Sequence, residues 1–435
     1  MSAQSIINMS RGKTEEAFEI LSEQLKISEK KNVTDRDKSM IYSNLSNYYW
    51  GLADYDKAIE NIANSLKYIE KKDKSGIASQ ISNLGGIYWY QGDIKKSKTN
   101  YLKALKITKK IGAKHAQSII TGNLLSIYFS EGNNAKAFEY GTEKLKMSKE
   151  LGDKKGETFA YLNLASLYYT MKNTDKAKEY YSISLDLSRK YENAYAESVS
   201  LGNISEIFSS EGDYDKALDC LMKKLEIADR TKNEKTIATT YSSLGSLFME
   251  MEDYEQALES FDRAEDLLVK LNLAGDISYV KELKGNIAVK QMKYEEAEKL
   301  FEEAVNILPD RTQKVKLARI GFEVADLYEK MNRLEDALEK IKLARETAKK
   351  TTDMELICDI KAMECKLKYL SGDSGAEFRL EKTAKKCAEE SLGYIYKTLY
   401  EMTKKEKYRK LAQETFLNLY KKTNKIKFKK ESEVL

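Results

Sequence analysis

Few residues of this chain could take part in catalysis or hold a metal ion. His115 is the only histidine among 435 residues, so there is no pair of imidazoles for a metal and no imidazole beside a candidate nucleophile. Aspartates such as Asp54, Asp93 and Asp213 fall in polar turns, where aspartate caps the following helix. The glycines belong to single turns and form no phosphate loop or dinucleotide-binding motif. We therefore expect a protein that is not an enzyme and that has neither a metal nor a cofactor.

The four cysteines offer no metal site either. Cys220, Cys358, Cys365 and Cys387 lie in stretches of helical periodicity, and only Cys358 and Cys365 share a helix face, two turns apart. We expect reduced, mostly buried thiols. No segment approaches 18 consecutive apolar residues, and the first residues lack the basic and then apolar order of a signal peptide. These features predict a cytoplasmic location.

Asparagine recurs at a fixed interval in the first half of the chain. The steps are 39, 40, 40 and 40 residues, along the series Asn44, Asn83, Asn123, Asn163 and Asn203. An amide both donates and accepts hydrogen bonds, so it can bind the backbone of an extended peptide whatever the peptide's side chains. Alternatively, each amide bonds a neighbouring helix terminus or a water inside the fold. The sequence leaves both interpretations open.

Aromatic residues follow the first four asparagines at a spacing of six residues, as Trp50, Trp89, Phe129 and Tyr169. Six positions place each ring about 120° around a helix from its amide, since a helix turns by about 100° per residue. Small or polar residues lie between them, namely Asn47, Gly86, Ser126 and Ser166. We expect a groove with this small-residue floor between amides and rings, although rings at helical spacing are also typical of packing. Both series fade after Asn203, which assigns the predicted peptide-binding site to repeats one to five.

The same interval of about 40 residues organises the rest of the chain. Apolar residues at i, i+3, i+4 and i+7 on both sides of a polar turn predict two amphipathic helices, A and B, in each period. A single proline in 435 residues also favours successive helices. A small residue in helix B allows close packing and recurs in eight copies, Ala58, Ser97, Ala137, Ala177, Ala217, Ala257, Ala297 and Ala337. We therefore expect stacked helical hairpins.

Two phrases carry a family resemblance: Asn83-Leu84-Gly85-x-x-Tyr88-x-x-x-Gly92-Asp93-x-x-x-Ser97 and Gly212-Asp213-Tyr214-Asp215-Lys216-Ala217. They resemble the tetratricopeptide repeat, whose common form has about 34 residues. The longer period is similar to the subgroup of kinesin light chain and Pins-type scaffolds, and to bacterial signalling arrays. The resemblance implies an all-α, right-handed solenoid of antiparallel helix pairs, and asparagines that bind peptide backbone.

The resemblance covers residues 1–435 as a single solenoid. We expect a partial repeat in residues 1–35, with a helix from Thr14 to Lys30, and eight repeats of about 40 residues in 36–350. A divergent repeat and capping helices should follow in 351–423, and a solvated basic tail in 424–435.

Charge and the inward residues of helix A limit the class of partner. The net charge is +5 with both signs spread along the chain, so we expect neither nucleic-acid binding nor membrane insertion. Lysines of helix B and the connections are assigned to the solvated outer face, as for Lys95, Lys96, Lys109 and Lys110. A clamp for a C-terminal carboxylate would need Lys or Arg on the inward stripe of helix A, which instead carries Met40, Ser43, Ser79, Ser82, Ile119 and Gly122.

These observations predict a non-catalytic scaffold that binds an extended segment of a protein partner in the concave groove. The alternative is a regulatory or sensory module of a bacterial-type signalling system, which controls an effector in the same chain or in another one.

Overall fold

The computed structural model describes residues 19–24, 26, 33–308, 314–349, 351 and 353–435. Their regular structure is entirely helical, and none of their helices has the length and apolar character needed to cross a membrane. Residues 19–24 are helical, and Leu21 is buried against Leu45 and Tyr48. The remainder of the predicted helix Thr14–Lys30, including Ala17, lies outside the described residues except for residue 26.

Helices follow one another as antiparallel pairs, which confirms the predicted all-α architecture and the two helices per period. Repeats one to four contain α1 (Asp35–Gly51), α2 (Tyr55–Tyr68), α3 (Lys74–Tyr90), α4 (Ile94–Lys110), α5 (Lys114–Ser130), α6 (Asn134–Leu151), α7 (Lys154–Thr170) and α8 (Thr174–Lys190). Repeats five to eight contain α9 (Ala194–Glu211), α10 (Tyr214–Arg230), α11 (Glu234–Glu250), α12 (Tyr254–Lys270), α13 (Ala274–Lys290), α14 (Tyr294–Asn306), α15 (Lys314–Lys330) and α16 (Leu334–Ala348). The remaining helices are α17 (Met354–Leu370), α18 (Ala376–Ala384), α19 (Glu389–Thr403), α20 (Glu406–Thr423) and α21 (Ile426–Val434).

Contacts group these helices into two compact units. Residues 175–193 and the described residues up to 171 form the first unit, which holds α1 to α8. Residues 172–174 and the described residues from 194 onward form the second unit, which holds α9 to α21. The single solenoid expected from the sequence stays a prediction, and each unit is described by itself.

The junctions between helices recur every 20 residues, which is half the repeat length. Residues with positive φ occur at this interval from 92 to 292, at Gly92, Gly112, Gly132, Gly152, Lys172, Glu192, Gly212, Lys232, Glu252, Asn272 and Met292. At Gly92 the backbone N–H donates to the carbonyl of Trp89, and the N–H of Asp93 donates to the carbonyl of Tyr88, as in a Schellman motif.

Asp93 has a second role, because its carboxylate accepts a hydrogen bond from the backbone N–H of Lys96 and so caps α4. The residue that completes one helix end therefore begins the next helix. The predicted caps Asp54, Asp153 and Asp213 are confirmed in the same way. Helices of 17 residues, such as α3 and α4, with three-residue turns produce the 20-residue step, and two steps produce the 40-residue repeat.

Small residues bring the two helices of a pair together. All eight predicted small positions of the second helices, from Ala58 to Ala337, have no exposed surface. Some first helices also carry a glycine that faces an aromatic ring of the second helix. A Cβ on Gly85 would lie 3.1 Å from the ring of Tyr101, and one on Gly245 would lie 2.6 Å from the ring of Phe261. The pairs are thus packed by matching a large side chain with a missing one.

The expectation of reduced thiols is wrong for one pair of cysteines. Cys358 in α17 and Cys387, which follows α18, form a disulfide across 29 residues, whereas Cys220 and Cys365 are free and buried. Helix α18 has only nine residues, so the chain returns to α17 early and brings Cys387 beside Cys358. Sequence spacing alone does not show such tertiary proximity. Disulfides persist mainly in oxidising compartments, so this pair does not support the predicted cytoplasmic location.

The expectation of a solvated tail at residues 424–435 is also wrong. Ile426–Val434 forms α21, in which Phe428 is fully buried, with its ring centroid 6.4 Å from that of Phe416. Ile426 packs onto Gly212, where a Cβ would lie 3.1 Å from its side chain. The lysines of this segment point outward and hide the apolar positions in the sequence pattern, and the burial of Phe428 is enough to dock the helix.

Candidate functional site

In each unit the first helices of successive repeats contact one another directly. Helices α5 and α7 do so in the first unit, and α11 and α13 do so in the second. No two successive second helices come equally close among the described residues. The first helices therefore form a continuous surface in each unit, which we call the first-helix face.

The predicted asparagines lie one to each first helix, from α1 to α9. Asn44 is buried, and Asn83, Asn123, Asn163 and Asn203 are half-buried. None of these five side-chain amides has a hydrogen-bond partner among the described residues.

Asparagines outside the series behave differently. The Nδ2 of Asn61 in α2 donates to the carbonyl of Lys57 at 2.8 Å, and Asn133 caps α6 by accepting from the backbone N–H of Lys136. The interpretation that each series amide bonds a helix terminus therefore finds no support in the described contacts. A poorly solvated amide without a partner costs about 1–3 kcal/mol, which a bound ligand can offset.

The four aromatic residues of the predicted site are half-buried and partly serve packing. The ring of Trp50 lies edge-on to that of Tyr90, with centroids 5.6 Å apart, and it covers Gly86 of α3. Trp89 and Phe129 pack against the buried cluster around Tyr101 and Tyr128, and Tyr169 lies in α7. The packing interpretation of the rings therefore has direct support.

The predicted small-residue floor is wrong at Gly86, which is buried beneath Trp50 rather than open. The hydroxyl of Ser126 donates to the carbonyl of Gly122 at 3.3 Å, and that of Ser166 lies 2.9 Å from the Tyr181 hydroxyl. The floor is thus closed at one position because the indole reaches across to the next first helix.

Sequence reasoning missed a polar group between α1 and α3. The Nε2 of Gln80 donates to the hydroxyl of Ser43 at 2.9 Å, while its Oε1 is buried with no hydrogen-bond partner among the described residues. Gln80 occurs in one repeat only, so no periodic signal marks it.

Two lysines of second helices were also missed. A Cβ on Gly122 would lie 2.6 Å from the Nζ of Lys144, and one on Gly202 would lie 3.2 Å from the Nζ of Lys224. Burial lowers the pKa of both lysines, and neither amine forms an ion pair or hydrogen bond with another described residue.

The exposure predicted for Lys95, Lys96, Lys109 and Lys110 is confirmed, whereas Lys144 and Lys224 do not share it. The signal available in the sequence was a glycine on the inward stripe of helix A followed by a lysine 22 residues later, which occurs at 122 and 144 and again at 202 and 224.

Carboxylates replace amides on the first helices of repeats seven and eight. Glu282 of α13 is 4% exposed and has no ion pair among the described residues. Burial, with smaller contributions from Asp326 and Glu282, raises the pKa of Glu323 in α15 to about 7, against the opposing charges of Lys330 and Arg319. Within the described ranges no group of three or more His, Cys, Asp or Glu side chains is arranged to hold a metal ion.

Comparison with known proteins places this geometry in a family. Tetratricopeptide repeat family models match residues 82–111, 157–230 and 238–267. No protein with a curated function is significantly similar in sequence.

Several solved structures share the fold. The apo form of the quorum sensor NprR from B. thuringiensis superposes with a TM-score of 0.57 at 14% identity, covering 80% of this chain and 96% of that one. A Rap protein complexed with competence and sporulation factor has a TM-score of 0.52 at 18% identity, covering 66% of this chain and 78% of that one.

A signal transduction ATPase with numerous domains from Pyrococcus horikoshii, which has a tetratricopeptide repeat sensor, has a TM-score of 0.55 at 18% identity. The match covers 82% of this chain and 53% of that ATPase, so this chain spans about half of its length. At these identities the similarity establishes the helical solenoid fold.

Proposed function

Since the chain is a tetratricopeptide repeat protein, we propose that it is a scaffold that binds an extended segment of a partner protein along its first helices. The observation that carries the proposal is the series of amides without hydrogen-bond partners among the described residues: Asn44, Asn83, Asn123 and Asn163 in the first unit, and Asn203 in the second. The chemistry is reversible recognition and requires no catalytic group.

The spacing of the amides suits an extended backbone. Packed helices lie about 8–10 Å apart, and an extended chain rises about 3.3 Å per residue, so one amide can serve about every third residue of the segment. Each Oδ1 would accept from a backbone N–H and each Nδ2 would donate to a carbonyl. Such contacts provide affinity without sequence preference.

The exposed edges of Trp50, Trp89, Phe129 and Tyr169 would provide selectivity by contacting the segment's side chains. Their packing role does not conflict with this one, because each ring is only half-buried. A ring fixed by packing also loses little conformational freedom when a ligand binds.

A second candidate is a regulatory module that responds to a signal and controls an effector. Its support is the similarity in fold to a quorum sensor, to a Rap protein bound to competence and sporulation factor, and to a signalling ATPase with a repeat sensor. Here the bound segment would be the signal, and the effector would contact another surface.

Affinity capture with mass spectrometry tests the proposal. The intact protein is compared with the triple variant Asn83→Ala, Asn123→Ala and Asn163→Ala. The matched control is Asn61→Ala with Asn100→Ala, because both of these amides already donate to a backbone carbonyl one turn away. We expect the triple variant to lose a specific protein that the control retains.

Circular dichroism must show that all three proteins remain folded. Equal capture by the triple variant would contradict the proposal. If a short peptide is recovered in place of a folded protein's segment, and an enzyme or transcription factor is recovered independently of the three asparagines, the regulatory candidate is supported instead.

A further inference from the structure

Repeat three contains two features that each oppose stability at the same place. Gly122 lies inside α5, where glycine costs up to about 1 kcal/mol relative to alanine. Lys144 in α6 holds its amine at a half-buried position without a counter-charge, and burying an unpaired charge is unfavourable. Neither feature makes a compensating contact among the described residues.

The fold itself does not require this combination. In repeats two and four the place of Lys144 is held by Ala104 and Ser184, both fully buried, and the place of Gly122 is held by Ser82 and Leu162. These pairs form the same helix interface with ordinary residues. The exchange of two residues together in repeat three therefore calls for another explanation.

The two residues depend on each other sterically. The atoms of Lys144 nearest to a Cβ on Gly122 would be Nζ at 2.6 Å, Cδ at 3.0 Å and Cε at 3.2 Å. The lysine thus occupies the space in which a side chain at position 122 would begin. As a result α5 presents an ammonium group at a position of its inward stripe, although the cation belongs to the second helix.

We propose that Lys144 binds the carboxylate of an aspartate or glutamate side chain in the partner segment. This inference rests on the proposed function, because Asn123 follows Gly122 directly and its free amide would hold the backbone of the same segment. A carboxylate would give the amine the counter-charge that it lacks and would form a charge-assisted hydrogen bond. The ligand class is an extended peptide with an acidic residue at one fixed position.

The same arrangement occurs independently in the second unit. Gly202 and Lys224 repeat the glycine and lysine pair, and Asn203 follows the glycine with an amide that also lacks a partner among the described residues. Lys224 has burial as the sole cause of its lowered pKa. Two occurrences of one three-residue arrangement favour a shared ligand chemistry over a chance substitution.

Selection from phage-displayed random 12-residue peptides tests the inference without knowledge of the partner. Wild-type protein should select peptides with Asp or Glu enriched at one position. Lys144→Met keeps the apolar stem and removes the charge, so it should select peptides that share the other positions but not the acidic one. Lys144→Ala reproduces the residue of repeat two, and exposed Lys146→Ala on the same helix is the control.

A synthetic peptide from this selection, amidated at its C-terminus, separates a side-chain acid from a terminal carboxylate. Replacing its Asp by Asn, or its Glu by Gln, should weaken binding to wild type about tenfold and binding to Lys144→Met by less than about twofold. Equal losses for both proteins would overturn the inference, as would loss of binding on amidation alone.

The outcomes also separate the inference from the function on which it rests. Peptides selected without an acidic preference would refute the role of Lys144 and leave the scaffold proposal standing, provided that the triple asparagine variant binds them less well. If wild-type protein selects no peptide, both proposals fail.

Discussion

The indole ring of Trp50 in α1 lies on Gly86 in α3, where a Cβ would be 2.9 Å from its Cη2 atom. The contact joins the first helices of two successive repeats. It explains why Gly86 is buried, and it fixes one ring of the predicted peptide-binding series.

Enlarging Gly86 should therefore displace the indole. We expect Gly86→Val to destabilise the first unit by about 1–3 kcal/mol through overpacking, and to shift tryptophan emission to longer wavelength as Trp50 becomes more exposed. Thermal denaturation and fluorescence measure the two effects. Trp89 is the only other tryptophan, so Trp89→Phe isolates the signal. An unchanged emission spectrum would show that the ring does not depend on this glycine.

Gly92→Ala should destabilise the protein by about 1 kcal/mol, as measured by denaturant unfolding. Gly92 has φ of 85° and no heavy atom within 4 Å of an added Cβ, so the cost arises from the backbone conformation alone. Gly51→Ala is the control, since Gly51 ends α1 without a positive φ and also has open space around it. Equal effects of the two substitutions would contradict this account.

Reduction of the Cys358–Cys387 disulfide should destabilise the second unit by about 2–4 kcal/mol, because the bond closes a loop of 29 residues in the unfolded chain. Thermal melts with and without reductant measure the loss. The double variant Cys358→Ser and Cys387→Ser should melt at a temperature that reductant does not change. Four titratable thiols in the unfolded, unreduced protein would refute the bond, whereas two are expected.

Glu323 should make the second unit less stable as pH rises from about 4.5 to about 7. Burial raises its pKa in the folded protein from the ordinary 4.5 to about 7, so the folded state binds more protons than the unfolded state in that window. The stabilisation is complete below the unfolded pKa and is lost as pH rises through the folded one. Glu323→Gln should reduce the decline by roughly 1–3 kcal/mol, measured as melting temperature at pH 5 and pH 8. A parallel decline in both proteins would contradict this role.

The regular part of the fold was predictable because it depends on local spacing. The small positions from Ala58 to Ala337 and the caps at Asp54, Asp93 and Asp213 follow from the sequence period and from turn chemistry. The 20-residue step was less evident, since Lys172, Glu192 and Met292 adopt the conformation that glycine adopts elsewhere. Tertiary packing over-determines these turns, and residue type does not reveal them.

The site was predictable only in part, for a physical reason. Amide positions follow the period, so Asn83 and Asn123 could be placed on first helices, but a hydrogen-bond partner or its absence depends on neighbours distant in sequence. The direction of a long side chain is likewise set by packing, so the sequence gave no reason to separate Lys144 from the solvated lysines. The disulfide and the docking of Phe428 depend on how far α18 and α20 extend.

The 20-residue step makes the helix junctions of this chain interchangeable joints. Excising 40 residues between two equivalent joints, for example residues 233–272, would rejoin a cap to a turn of the same conformation and keep every first helix beside another first helix. Excising 20 residues would preserve the joint but place a second helix where a first helix belongs. The chain can therefore be shortened or lengthened by whole hairpins, and the length of its binding surface is adjustable in increments of one asparagine position.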